Sequence, residues 1–229
     1  MYIKFTLQMQ QERIIMKNLY EKLKKVPLFD NIQEKEINEI INQSYIKSYQ
    51  KDEFILKAGD FIFNTGIILK GEISIISEDF WGNKNIISTL SEGNIFAEIF
   101  SLKNNIPLNV SVISNEDSTI LFINVNEIIN KTRNFIFIKN LMNIISTKTL
   151  MLNRKNELLS KRTIREKVMT FLSQQAISAN NNSFKIPFSR EEMANFLAVD
   201  RSALSRELSK MKKEGIITYN KNNFTLITK

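Results

Sequence analysis

Two arginines and two serines, Arg201, Ser202, Ser205 and Arg206, are spaced so that one short helix would hold all four on its outer side. Leu204, Leu208 and Met211 recur at intervals of three and four and must face inward, which leaves the polar four outward near the helix start. An arginine fork can bond two acceptors on a guanine edge in the major groove, and a serine can bond a base edge or a phosphate. The bland alternative is an ordinary surface helix that carries two arginines.

Charge distribution separates the two readings. From Lys161 to the end there are 13 Lys and Arg against 6 Asp and Glu, a balance of +7, whereas the preceding 160 residues hold 19 and 18. Nearly all the basic excess therefore sits with the four side chains, as phosphate neutralisation requires and a merely solvated face does not.

Several elements must position them. Ser189 with Glu192 three residues on is a capping box, so a helix starts there, with Met193, Ala194, Phe196 and Leu197 as its buried stripe. Asp200 caps the second helix. Ser189, Arg190 and Lys210 join the four as candidate DNA contacts. Ile216 to Tyr219 and Phe224 to Ile227 read as two strands about the polar turn Asn220 to Asn223, a wing beside the helices. Thr163 to Ser178 reads as a helix buried through Ile164, Val168, Phe171 and Leu172, and Phe184 to Phe188 as an extended piece leading into the reader. A helix-turn-helix docks the start of its second helix in the major groove.

The chain of 229 residues has 43% hydrophobic content, enough for two cores. It holds no cysteine and no histidine, which excludes disulfides, thiol nucleophiles, cysteine-held iron–sulfur clusters, histidine-bound zinc or haem, and histidine-dependent triads. A barrel enzyme or small-molecule carrier with an unrelated basic tail is the competing class; cupin-type enzymes hold their metal mainly through histidine, so no catalytic residue is assigned. Non-specific, architectural nucleic-acid binding is a third reading. No signal peptide and no membrane span is evident, and a cytoplasmic location is expected.

Residues 1–16 read as an N-terminal extension of unassigned role. Helical patterns run from Lys17 to Val26 and, after a break at Pro27-Leu28-Phe29, through Ile37, Ile40 and Ile41. From Tyr45 to about Val125 the period is two. Turns are expected at Ala58-Gly59-Asp60, Asn64-Thr65-Gly66, Trp81-Gly82-Asn83 and Glu92-Gly93-Asn94, the punctuation of an antiparallel barrel or jelly roll. Ile73 and Ile75 alternating with Glu72 and Ser74 is its clearest strand, and Trp81 reads as an aromatic plug at the barrel's end. One long helix follows, with Ile138, Ile145, Leu152 and Leu159 at intervals of seven and Phe135, Met142, Thr149 and Asn156 between them. That heptad seam predicts a parallel contact and a homodimer; Thr149 and Asn156 either fix its register or face a pocket beside it. The fold class is thus α+β: an antiparallel β-barrel or jelly-roll sensor domain over 17–130, a dimerisation helix over 131–160, and a winged helix-turn-helix over 161–229.

VDRSALSRELSKMKKEG in the reader, SKRTIREKVMTFL ahead of it and GNIFAEIFSLKNNIPLNVSVISNEDSTILFI in the barrel resemble the Crp/Fnr family of bacterial transcription regulators. The resemblance covers about Lys17 to Ile227. It implies a homodimer on double-stranded DNA with a two-fold-related site, base contacts from Arg201, Ser202, Ser205 and Arg206, and RNA polymerase as a further partner. The family's cyclic-nucleotide members hold the phosphate with a Gly-Glu pair and an Arg-Ser pair some ten residues on. The matching positions here are Ala97-Glu98 and Leu108-Asn109, so the phosphate's arginine is replaced by leucine, and no arginine or lysine stands between Lys103 and Lys131. A phosphate buried without its cation is costly, so cAMP and cGMP are not expected as tight effectors. The effector pocket is placed at Phe96, Ala97, Glu98, Ile99, Leu108 and Asn109, with Thr149 and Asn153 of the long helix. An uncharged or carboxylate-bearing small molecule stays open, as does a regulator set only by its own abundance.

Overall fold

The structure is a computed structural model that describes residues 16–78, 84–103, 105–132 and 134–227. The chain divides into two compact units, Met1–Ile145 and Ser146–Lys229.

The first unit opens with helix α1 (residues 16–23), a 3-10 turn at Pro27–Phe29 and α2 (Glu34–Asn42). Proline at the turn's first position fixes φ and lacks the amide a longer helix would need. Gln33 and Glu36 form a capping box on α2, which buries Ile37, Ile40 and Ile41. Among the described residues eight strands follow: β1 (Tyr45–Tyr49), β2 (Phe54–Leu56), β3 (Thr65–Lys70), β4 (Glu72–Glu78), β5 (Lys84–Ser91), β6 (Ile95–Phe96), β7 (Ser111–Ser114) and β8 (Ser118–Ile123). They make two antiparallel sheets ordered β1-β8-β3-β6 and β2-β7-β4-β5, a jelly-roll-like pair and not a closed barrel. Helix α3 (Glu98–Lys103) lies between β6 and β7, and α4 (Val125–Thr132) follows β8.

The first sheet is covered on both faces. Ile67, Leu69, Leu121 and Ile123 pack with Leu23, Leu28, Ile37 and Ile41 of the helical layer, while Ile68, Ile120 and Phe122 point between the sheets toward Ile55, Ile73 and Val112. Double burial is why every residue of β3 from Thr65 to Leu69 is buried, with Ile67, Ile68 and Leu69 consecutive. It also corrects the turn expected at Asn64-Thr65-Gly66: Thr65 and Gly66 begin β3, and the Thr65 hydroxyl is fully buried against Ser101 at 2.7 Å. The other two described turns form, with Gly59 at φ 93° and Gly93 at φ 85°. The alternation read from Glu72 to Ile75 holds, Ile73 and Ile75 both packing in the cluster between the sheets; Ser74 is nevertheless buried, and the register shifts only beyond Ile75. Trp81 lies outside the described residues.

Helix α5 (Phe135–Leu159) is shared by the two units. Phe137 and Leu141 are buried in the first core and Leu158 in the second. By length and composition alone α5 could cross a membrane, its mean hydropathy reaching 1.2 over 18 residues. This overturns the expectation that no stretch approaches a span. A helix whose exposed side is apolar passes that measure whether lipid or another protein covers it.

In the second unit α6 (Ile164–Ala179) starts at a Thr163 and Glu166 capping box and ends at Asn180 in the left-handed conformation. Strand β9 (Ser183–Lys185) leads to α7 (Arg190–Leu197) and α8 (Arg201–Lys213), and β10 (Ile217–Asn220) and β11 (Asn223–Leu226) close the chain. The extended piece before α7 thus joins the wing as a third strand, in the order β10-β11-β9. Leu158, Val168, Phe171, Leu172, Leu197 and Leu204 are among the buried residues of this core.

Candidate nucleic-acid interface

Helix α7 begins as its capping box dictates. Ser189 Oγ accepts from the Glu192 amide at 3.2 Å and the Ser189 amide donates to Glu192 Oε2 at 2.6 Å. The bond from the Ser189 amide first, and the Ser189 hydroxyl second, hold the Glu192 carboxyl below its ordinary value. The helix ends at Ala198 with φ 50°, and Lys167 of α6 donates to the Leu197 carbonyl at 3.1 Å, covering one of the acceptors a helix end leaves open. Asp200 then caps α8 through the Ala203 amide at 2.8 Å.

Leu204, Leu208 and Met211 of α8 are fully buried, as their spacing requires. Arg201, Ser202 and Arg206 are exposed and Ser205 half-exposed. Ser205, Arg206, Ser209, Lys210 and Lys213 line an open surface concavity of about 420 Å³. Three cations and two hydroxyls along one strip suit a polyanion. Ser209 and Lys213 were missed in the sequence reading, although 205, 209 and 213 repeat at intervals of four and share one helix side. Arg201 has Glu191 of α7 at 3.9 Å, both exposed, a weak restraint.

Arg190 is placed differently from the other candidates. Its guanidinium lies over the Tyr219 and Phe224 rings, at 5.2 and 5.4 Å, and donates to the Lys221 carbonyl at 3.3 Å. Partial burial there lowers its pKa. It therefore bolts α7 to the wing. Arg165 on α6 does the equivalent for α8, donating from Nε to Glu207 at 2.6 Å and from both terminal nitrogens to Glu214 at 2.7 and 2.9 Å. The pairing holds Glu214 below, and Arg165 above, their ordinary pKa.

The candidate effector residues fall in two places. Phe96 is buried between the sheets, Ala97 follows at φ 63°, Glu98 is 4% exposed in the first turn of α3, and Ile99 is exposed. Leu108 is buried, its backbone tied to Gly59 and Asp60 at 2.7 and 2.9 Å, and Asn109 is exposed. Thr149 and Asn153 belong to the second unit. An apolar side chain at 108 does not fit a nucleotide phosphate. Among the described residues no three His, Cys, Asp or Glu side chains converge as a metal site would need.

Residues 46–134 match the family model of the cyclic nucleotide-binding domain, and residues 166–228 that of the Crp-like helix-turn-helix domain. The chain belongs to the Crp/Fnr family. It is a Crp-like transcription regulator with a cyclic-nucleotide-binding-like domain and a helix-turn-helix. Among solved structures it is similar to the catabolite activator protein of Thermus thermophilus, 19% identical over 88% of this chain and 93% of that one, TM-score 0.54. A CprK structure complexed with OCPA is 14% identical over 84% and 91%, TM-score 0.62. The c-di-GMP-responsive global regulator CLP of Xanthomonas campestris is 14% identical over 86% and 100%, TM-score 0.54. These likenesses speak to the fold. A cyclic nucleotide-gated channel of Caenorhabditis elegans is 27% identical over 89 residues, 39% of this chain; the matched stretch is 12% of that channel's length.

Proposed function

We propose that the protein is a cytoplasmic, homodimeric regulator that binds a two-fold-related DNA site through α8 and answers to a small molecule other than cAMP. The observation that carries the reading is the outer side of α8: Arg201, Ser202, Ser205 and Arg206 stand out from a helix anchored by three buried apolar residues and continue into a basic concavity. Ser189 and Lys210 flank that side and serve as phosphate contacts; Arg190 acts through the wing. RNA polymerase is the partner that a DNA-bound regulator of this kind addresses.

Dimerisation is supported by α5. Phe135, Met142 and Leu152 of the heptad seam are 74, 62 and 58% exposed, and Leu159 lies at the margin of exposure. With Thr149 and Asn156 also exposed, the seam is an apolar stripe with two polar interruptions. Ile138 and Ile145 are half-buried, and Ile145 packs on the first core. For two copies joined along this seam to engage one two-fold-related site, their reading helices must lie about one DNA turn apart, roughly 34 Å.

Against cAMP stands Leu108, a buried apolar residue at the position that the resemblance matches to the family's phosphate-pairing arginine. Phe96, Ala97, Glu98, Ile99 and Asn109 of the first unit would then suit an uncharged or carboxylate-bearing ligand. The test is selection of binding sites from random duplexes with the full-length protein, then anisotropy at one fixed salt concentration with and without saturating cAMP. A two-fold-related consensus bound equally well in both conditions is the expected result. A tenfold tightening by cAMP, about 1.4 kcal/mol of coupling, overturns the effector assignment, and equal affinity for all sequences overturns specific recognition.

A further inference from the structure

The outer side of α8 carries three serines whose hydroxyl protons are all engaged. Ser202 Oγ is 2.5 Å from Asp200 Oδ1, Ser205 Oγ 2.9 Å from the Arg201 carbonyl, and Ser209 Oγ 2.9 Å from the Ser205 carbonyl. A carbonyl has no proton to give. Nor has Asp200, which also accepts the Ala203 amide on the same oxygen at 2.8 Å. Its carboxyl is held below its ordinary pKa by the Ser202 hydroxyl first and that amide second, and is ionised at neutral pH. In each bond the serine is therefore the donor. A hydroxyl has one proton and two lone pairs, so only lone pairs are turned outward.

The polarity decides what such a group can meet on DNA. Phosphate oxygens only accept hydrogen bonds, and so do guanine O6 and N7 and thymine O4. In the major groove the donors are the amino groups of adenine and cytosine. The three serines differ in how firmly their polarity is fixed. Ser205 and Ser209 bond back to neutral carbonyls of their own helix, a weak bond that is readily exchanged. Ser202 donates to a charged carboxylate that is itself fixed as the helix cap, which makes the bond charge-assisted and its direction hard to reverse. It also stands in the first turn, the part of a reading helix that meets base edges.

We propose that Ser202 reads a base amino group, adenine N6 or cytosine N4, as an acceptor, and that Asp200 is the positioning residue that holds it in that polarity. This rests on the DNA-binding reading of α8 given above. Asp200 acts twice: it spends the serine proton, and its negative charge keeps phosphate away from the same spot. Arg206, one turn on from Ser202, reads acceptors, so the side carries both halves of a hydrogen-bond code.

The experiment couples a protein change to a base change. On the selected operator, each adenine is replaced in turn by purine and each cytosine by pyrimidin-2-one, which removes the major-groove amino group. The full-length parent, Ser202→Ala and Ser202→Thr are titrated on every duplex at fixed salt. At one position per half-site, loss of the amino group should weaken the parent about three- to tenfold, the range of one hydrogen bond. Ser202→Ala should bind the two duplexes alike, and Ser202→Thr, which keeps the hydroxyl, should behave as the parent. The analogue that shows the coupling names the base. Equal loss for Ser202→Ala on every duplex, with the salt slope unchanged because a hydroxyl displaces no counterion, is the signature of a phosphate contact and overturns the assignment. So does coupling to 7-deazaguanine, which lacks an acceptor. If the parent shows no sequence preference, the DNA reading itself fails; if preference is intact and coupling absent, only the role of Ser202 does.

Discussion

Gly66 and Phe96 form a cross-strand pair whose energetics can be worked from the structure. A Cβ built on Gly66 would lie 2.2, 2.4 and 2.8 Å from three atoms of the Phe96 ring, where carbon atoms rest at about 3.5 to 4.0 Å. The ring would have to withdraw by more than an ångström. It is 1% exposed and meets Phe122 edge-on at a centroid distance of 6.4 Å, so it has no free space to enter. Gly66→Ala should therefore cost about 1 to 3 kcal/mol by overpacking. Phe96→Ala alone should cost about 3 to 5 kcal/mol through lost burial and the cavity left behind. In the double variant the clash is gone and the added methyl restores about 0.8 kcal/mol of burial. The double should then cost about 2 to 4 kcal/mol against a sum of about 4 to 8, a coupling of about 2 to 4 kcal/mol. Any gain from stiffening the unfolded chain at position 66 enters the single and the double alike and cancels. Urea denaturation followed by far-UV circular dichroism reads the relevant transition. Additivity within about 0.5 kcal/mol would refute the packing argument, and with it the view that the Phe96 ring plugs the space between the sheets ahead of Ala97 and Glu98.

Four further outcomes are expected. Ala198→Gly should stabilise the second unit by about 0.5 to 1 kcal/mol, because an exposed alanine at φ 50° carries a left-handed penalty larger than the flexibility glycine adds to the unfolded chain; a thermal melt showing a loss would contradict this. Glu166, Glu192, Asp200 and Glu214 all titrate below their ordinary values in the folded state, so their contribution is complete above about pH 4.5 and is lost as pH falls through the depressed values. Glu214→Gln should accordingly be less stable than the parent at pH 7 by circular dichroism, with the gap closing on acidification below that point. Leu152→Glu should convert a dimer into a monomer in sedimentation velocity, and a parent that is already monomeric would remove the basis for it. Arg206→Ala should relax discrimination at a single base pair by about 1 to 3 kcal/mol in competition titrations, whereas uniform loss on all sequences would mark a phosphate contact.

The reader was legible because its signals are local. A capping box at Ser189, a cap at Asp200 and three apolar residues at helical spacing each decide a hydrogen bond or a face within one or two turns, and each appears as expected. What escaped depends on partners distant in the chain. Thr65 looked like turn chemistry because nothing local reveals that Ser101 waits to bond its hydroxyl. Arg190 looked like a DNA contact because its stacking on Tyr219 and Phe224 spans about thirty residues of sequence. The third wing strand went unseen for the same reason, since Phe184 pairs with Phe224. On α5 the heptad was visible, but the stripe that packs on the first core, Phe137, Leu141, Ile144 and Ile145, was not separated from it. Two apolar stripes on one helix blur each other's period.

That second stripe bears on what holds α5 together. The helix is anchored at its start by Phe137 and Leu141 and near its end by Leu158, whereas Leu150, Met151 and Leu152 between them are 59, 64 and 58% exposed. Three turns of helix with so little packing are marginal in water on propensity alone, since helical stability in proteins comes mainly from tertiary contact. Polar side chains would serve a solvent-bridging helix there, yet the sequence has consecutive large apolar ones. A second copy meeting the first along Met142, Thr149, Leu152 and Asn156 would cover much of that surface, and Thr149 and Asn156 would discourage alternative registers. On this view the middle of α5 is ordered by the partner, and anything that loosens the dimer should loosen those turns first. Hydrogen exchange at residues 146 to 157 should therefore slow with protein concentration across the dissociation range, while exchange at Leu204 and Leu208, buried in the second core, should not change. Concentration-independent exchange in α5 would mean that the helix stands without a partner.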